Sequence, residues 1–273
     1  LKSSVRLFAD DCLVYTAGKD NKHIKMLQED LNKLQTWQDV WLMSFNPEKC
    51  YTMQIAYMKD PPTKTFTFCG HDLQMVDSQQ YLGVEIDNKM TWSAHIRNTI
   101  NKANRTLGFL RRNFWYCIAE VKVTTYNMLV RPILEYASEV WDPYSKNQKD
   151  RLEMVQRRAA RFCSADFKHR SSVTAMLQKL KWESLEQRRK KDRLTMMYKI
   201  THGLVGINSA DYFTPSKDKR TRGSQTFKYS RPNIRLDVHK HSFFNQTTPD
   251  WNKLPEDTTS APSLDSFKKR LQR

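Results

Sequence analysis

A chain of 273 residues with 39% hydrophobic content and a net charge of +17 can bury the core of one large domain or two modest ones. It has no run of roughly 18 apolar residues and no signal-peptide pattern at its start, so a membrane span and secretion are excluded and an intracellular, nuclear or cytoplasmic protein is expected. Its five cysteines, Cys12, Cys50, Cys69, Cys117 and Cys163, are scattered without a Cys-x-x-Cys pair, which points to reduced, packed thiols rather than a disulfide framework or a zinc cage.

In chain order, the first feature is Phe8-Ala9-Asp10-Asp11, set between the apolar runs Val5-Arg6-Leu7 and Leu13-Val14-Tyr15. Two adjacent carboxylates at a tight turn suit a β-hairpin whose tip holds divalent metal against a triphosphate, the chemistry of two-metal phosphoryl transfer. A third carboxylate is normally needed from a strand well upstream, and little chain lies upstream. The box therefore reads as half of a polymerase active site in the C-terminal part of a longer enzyme. The competing reading is a plain acidic turn.

Ile24, Leu27, Leu31, Leu34, Trp37 and Trp41 recur at helical spacing and predict an amphipathic helix. Next come the turn Asn46-Pro47-Glu48-Lys49, the alternating run Tyr51 to Ile55, the short runs Thr65 to Phe68 and Leu73 to Val76, and the strand Tyr81-Leu82-Gly83-Val84. From about residue 91 to 205 the pattern is helical, broken near Pro143-Tyr144-Ser145 and again between Ala165 and Ser172, with Pro132 kinking a helix or standing in its first turn. Trp37, Trp41, Tyr136 and Trp141 are expected in the core. From Asp211 to about Pro262 polar residues dominate, as in a basic, partly ordered connector, and Ser263 is placed to cap a final short helix.

The charge is divided unevenly. Residues 1–90 carry ten Lys and Arg against twelve Asp and Glu, whereas residues 91–273 carry 36 against 17. The basic residues come in bursts: Arg111-Arg112, Arg157-Arg158 with Arg161, Arg188-Arg189-Lys190-Lys191 with Arg193, Lys217 to Arg222, and Lys268-Lys269-Arg270. Such clustering suggests a phosphate backbone as partner. Arg111, Arg112, Arg157, Arg158 and Arg161 are the candidate contacts. His239 and His241 have no cysteine companions at zinc-knuckle spacing and are assigned no metal.

The hairpin with Asp-Asp, the helix, the Asn-Pro-x-Lys turn and the Tyr-Leu-Gly-Val strand, in this order, resemble the reverse transcriptase of a non-LTR (LINE-like) retrotransposon of the jockey or chicken-repeat kind. Arg131-Pro132-Ile133-Leu134-Glu135-Tyr136, Val155-Gln156-Arg157-Arg158-Ala159-Ala160-Arg161 and Trp251-Asn252-Lys253-Leu254-Pro255 extend the likeness over nearly the whole chain. The resemblance implies an α+β partial palm in residues 1–90, a helical thumb and extension in 91–205, and a basic connector with a terminal helix in 206–273. It implies catalytic roles for Asp10 and Asp11 as metal ligands and for Lys49 near the phosphates, where the alternative is a surface lysine beside Glu48. It makes Tyr81, Leu82 and Gly83 a primer grip, with Gly83 admitting the primer backbone or, alternatively, forming a bulge.

The partners so implied are an RNA template with a DNA primer, deoxynucleotides, Mg²⁺ in the intact enzyme, and the missing N-terminal part of the same polyprotein. Activity of this piece alone is not expected. Two alternatives stand beside this: a noncatalytic basic helical nucleic-acid-binding protein derived from such an element, and an unrelated helical scaffold whose Asp10-Asp11 turn would be buried in salt bridges.

Overall fold

The computed structural model describes residues 1–18, 20–57, 64–216, 227–231 and 233–272. It divides into two units, Leu1–Trp92 and Ser93–Arg273.

The first unit opens with β1 (Ser4–Phe8) and β2 (Asp11–Tyr15), antiparallel with Phe8 opposite Asp11. After α1 (Asn21–Trp41), Leu42 takes a left-handed conformation and its amide bonds back to Gln38, ending the helix as an αL cap does. A 3-10 turn (Pro47–Lys49) leads to β3 (Tyr51–Thr52), β4 (Thr67–Phe68), β5 (His71–Asp72), β6 (Gln74–Met75), β7 (Ser78–Tyr81) and β8 (Val84–Asp87). Strand β3 pairs with β6 in parallel, β4 with β5 and β7 with β8 antiparallel, so the described strands form four two-stranded ribbons. Isolated ribbons are marginal in water, and polar clamps from α1 support two of them.

Asp30 is wholly buried and accepts the amides of Lys2 and Ser3 at 2.7 and 2.6 Å, tying the strand entry to the helix. Gln28 acts as a surrogate strand partner, donating to the Thr67 carbonyl at 2.8 Å and accepting the Thr67 amide at 3.0 Å. The apolar core is thin: Phe68, Leu73 and Val84 are its buried members. Trp37 and Trp41 are 41% and 66% exposed, which corrects their assignment to a core; Trp37 only leans on Trp41 and Phe45. The runs read as longer strands shrink to two-residue ladders, and at β4 the Gln28 side chain of α1 takes the place of a further strand partner.

The second unit is helical: α2 (Ser93–Asn113), α3 (Ala119–Leu129), α4 (Arg131–Glu135), α5 (Ser138–Trp141), α6 (Lys146–Cys163), α7 (Val173–Lys179), α8 (Leu185–Thr201), α9 (Asp237–Lys240), α10 (Phe243–Trp251), α11 (Glu256–Thr259) and α12 (Leu264–Arg270). The breaks fall at Pro143 and across 164–172, and Pro132 stands in the first turn of α4, where its missing N–H costs nothing. Helix α2 packs against α3, α4 and α6, while α8 packs against α5, α6, α10 and α12.

Ser184 and Gln187 form a capping box that starts α8, satisfying two otherwise orphan amides. Trp141 is fully buried, donating its indole N–H to the Tyr136 carbonyl at 2.8 Å. Tyr136 itself is 56% exposed and is therefore not core.

Residues 237–259, which show no clear periodicity, form three short helices. Trp251 and Phe267 are fully buried against Leu194, Met197, Tyr198 and Ile200 of α8, and Ser263 caps α12 by accepting the Ser266 amide. Among the described residues no helix is long and apolar enough to cross a membrane.

Candidate functional site

The Asp-Asp box occupies the turn between β1 and β2. Ala9 sits at φ 50°, a left-handed value that costs an L-residue about 1 kcal/mol. Asp10 and Asp11 are exposed, and neither makes an ion pair or hydrogen bond among the described residues. This is not the turn buried in salt bridges that an unrelated scaffold would show.

Asn46 folds the second turn by accepting the Glu48 amide at 3.0 Å, leaving Lys49 exposed, its ammonium without an ion-pair or hydrogen-bond partner among the described residues. Burial pushes the Cys50 thiol above its ordinary range, and the Cys69 and Cys12 thiols add to the rise. Cys12 is exposed, so this thiol is not packed as expected.

Tyr81, Leu82 and Gly83 do not form a continuous strand. Leu82 (φ 46°) and Gly83 (φ 77°) are the two-residue loop joining β7 to β8, the arrangement of a type I′ hairpin that demands positive φ at both positions. The turn accounts for Gly83 by itself, without a bulge or an approaching backbone.

Two adjacent carboxylates can bind one divalent cation, but a two-cation cage needs more donors. No group of three or more His, Cys, Asp or Glu side chains gathers among the described residues. Asp10 and Asp11 alone are an incomplete donor set.

In the second unit the arginines divide by partner. Arg161 donates to the carbonyls of Asp166, Lys168 and Ser171, bracing the loop after α6. Arg111 lies 5.5 Å over the Phe167 ring, which stacks on Trp115. Arg158 bonds Asn104 at 3.1 Å across the α2–α6 seam. The guanidiniums of Arg112 and Arg157 make no hydrogen bond or ion pair among the described residues.

The burst from 188 to 193 is a correction to its reading as phosphate-facing. Arg188 pairs with Glu135, Lys190 with Asp250, Lys191 with Glu183, and Arg189 and Arg193 share Asp142. Each of these five cations has a carboxylate partner within the fold, four carboxylates serving all five. The run Lys217 to Arg222 lies outside the described residues.

A feature missed in the sequence lies on the outer face of α2. Arg97, Asn101, Arg105, Gly108 and Arg112 follow at intervals of three or four and so share one side of the helix. Arg97 and Arg105, like Arg112, are exposed, and their guanidiniums make no hydrogen bond or ion pair among the described residues. From Arg97 to Arg112 the stripe runs about 22 Å. The four-residue spacing was the available signal.

The chain is 27% identical over 171 residues to a Drosophila melanogaster protein described as "Probable RNA-directed DNA polymerase from transposon BS", covering 59% of this chain and 18% of that protein. The RNA-directed DNA polymerases from mobile element jockey of Drosophila melanogaster and Drosophila funebris are each 27% identical, over 164 and 166 residues, covering 58% of this chain and 18% of theirs. The chain thus spans less than a fifth of the length of these curated relatives. No family model and no solved structure matches.

Proposed function

Proceeding from this kinship with RNA-directed DNA polymerases of Drosophila mobile elements of the non-LTR type, we propose that the chain is a portion of such a polymerase. In this reading residues 1–90 are the end of the palm, 91–205 the thumb and its extension, and 206–273 a basic region that follows it. Asp10 and Asp11 supply two of the carboxylates that hold divalent cations, magnesium in the intact enzyme, and further donors come from outside this chain. Lys49 neutralises phosphate charge beside them, and the Tyr81-Leu82-Gly83 hairpin backs the primer end. Arg112 and Arg157, with Arg97 and Arg105 along α2, hold the template–primer hybrid by its phosphates, which positions it without reading its sequence.

The observation that carries the reading is the exposed Asp10–Asp11 turn, its carboxylates without ion-pair partners among the described residues, in a chain of this kinship. A second reading, a noncatalytic nucleic-acid binder, is favoured by the incomplete donor set beside the free cations on α2.

Primer extension on an RNA template separates the two, with the chain alone and with upstream polymerase sequence joined to it. The expected result is no incorporation by the chain alone and incorporation by the joined form, abolished by Asp10→Asn. If the joined form binds hybrid but never extends it, the polymerase reading fails and the binding reading stands. Extension by the chain alone would contradict the two-carboxylate argument.

A further inference from the structure

The second unit contains a cavity of about 360 Å³ lined from α4, α6, the segment after α7, α8 and α12, with no residue of α2 among its lining. Its volume lies at the lower end of the range of small-ligand sites, too small for a duplex. Arg131, Lys181, Arg188, Lys191 and Lys268 line it against Glu183 and Asp192.

Internal pairing removes only part of this excess. Lys191 is matched by Glu183, and Arg131 and Arg188 share one carboxylate, Glu135. Lys181 and Lys268 are exposed and have no ion pair among the described residues. Asp192 and Glu183 are the carboxylates among its lining residues, against five cations. The cavity is therefore cationic.

It is also aromatic. Trp182 forms part of the wall, and its ring is stacked at 4.3 Å on the fully buried Tyr126, which fixes the indole as a rigid surface. Thr195 adds a hydroxyl that bonds nothing among the described residues.

Lys181 is held in place at some expense. It stands at φ 55° just past α7, its amide bonded to Gln178 and that of Trp182 to Leu177, the position where a glycine is the unstrained choice. A lysine at this strained position adds a cationic side chain to the cavity's lining that glycine would not supply.

We propose that this cavity binds a single nucleotide unit, its phosphate held by Lys181 and Lys268 and its base laid against Trp182. Cations combined with a flat aromatic wall are the chemistry of single-stranded nucleotide recognition. The ligand is either a free nucleotide or an unpaired nucleotide of a strand. The inference stands on the geometry of the second unit and is independent of polymerase activity.

Calorimetric titration of the full chain with AMP, inorganic phosphate and a single-stranded RNA hexamer tests it. AMP should bind at one site and more tightly than phosphate. Lys181→Ala and Lys268→Ala should each weaken it about tenfold, the scale of one charge-assisted hydrogen bond, while Arg112→Ala leaves it unchanged. Both lysines are exposed, so circular dichroism of the variants should match the parent.

A hexamer that displaces AMP identifies the strand as the source, and one that does not identifies the free nucleotide. Absence of saturable binding by both AMP and the hexamer, affinity for phosphate equal to that for AMP, or binding undiminished in the Lys181→Ala/Lys268→Ala double variant would overturn the proposal.

Discussion

Arg189 and Asp142 are joined by a 2.7 Å hydrogen bond with their side chains 1% and 5% exposed, an ion pair sealed between α8 and the end of α5. The second Asp142 oxygen accepts from Arg193 at 2.8 Å and from Gln246 at 3.1 Å, and Arg193 also reaches Asp250 at 3.3 Å. Asp142→Ala strands Arg189 and leaves Arg193 with Asp250 alone, and the expected loss is about 3–5 kcal/mol, read as a lower urea midpoint. Both terminal nitrogens of Arg189 lack hydrogen-bond partners among the described residues. Arg189→Met should therefore cost less than about 1 kcal/mol, because Arg193 remains to pair with Asp142 and the volume stays filled. A large loss in the methionine variant would contradict this division.

Asp192 gives the second unit a pH signature. Its carboxyl is raised to about 6, so the folded state holds a proton that the unfolded state, near 4, has released. Stability from this group is present below about pH 4, falls between about 4 and 6, and is absent above that. Asp192→Asn should raise stability at pH 7 by about 1–2 kcal/mol, allowing for screening of this partly exposed group, and the gain should vanish by pH 4. Thermal melts across that range measure it. A pH-independent gain would assign the effect to packing instead.

The hairpin at Asp10, the long helix α1 and the Ser263 cap were legible because their signals are local: a turn between apolar runs, a helical period, a capping residue. The burst from Arg188 to Arg193 was not legible, since its partners Glu135 and Asp142 lie 53 and 47 residues earlier and nothing nearby announces them. Nor were the helices between 237 and 259, whose order comes from packing Trp251 on α8 rather than from a period of their own. Trp37 and Trp41 keep the helical spacing of core residues, yet the first unit offers them no covering layer. For the candidate site, sequence identified Asp10 and Lys49 as a pair of turns, but the positive φ of Leu82 and Gly83 is a backbone fact that a Tyr-Leu-Gly string does not reveal.

Asp30 is the equivalent anchor of the first unit. Burial alone would raise its carboxyl, but the Ser3 amide, the Lys33 ammonium and the Lys2 amide outweigh that and hold it well below the usual carboxylate range. The stability it contributes is present above the unfolded value near 4 and is lost as pH falls through the depressed one. Asp30→Asn should lower the stability of the first unit by about 1–3 kcal/mol at pH 7, the range for hydrogen bonds to a charged group. Hydrogen exchange at the Lys2 and Ser3 amides checks it, since both should lose protection first. Unchanged exchange there would show that the clamp does not hold the strand entry.

Gly108 separates a structural account of the α2 stripe from a binding one. A Cβ built there would meet only Nη1 of Arg112, at 3.6 Å, so packing does not require glycine. Within a helix it costs about 1 kcal/mol relative to alanine, and Gly108→Ala should raise stability by about that amount. If a phosphate backbone lies along Arg105, Gly108 and Arg112, the same methyl group obstructs it and affinity for an RNA–DNA hybrid should fall. Arg112→Ala should leave the melting temperature unchanged and reduce the slope of log affinity against log salt by about one, whereas Arg161→Ala, which releases three carbonyls, should lower the melting temperature first. Fluorescence anisotropy across a salt series measures each slope. A Gly108→Ala variant that is both more stable and undiminished in hybrid binding would place the nucleic acid on another face of the unit.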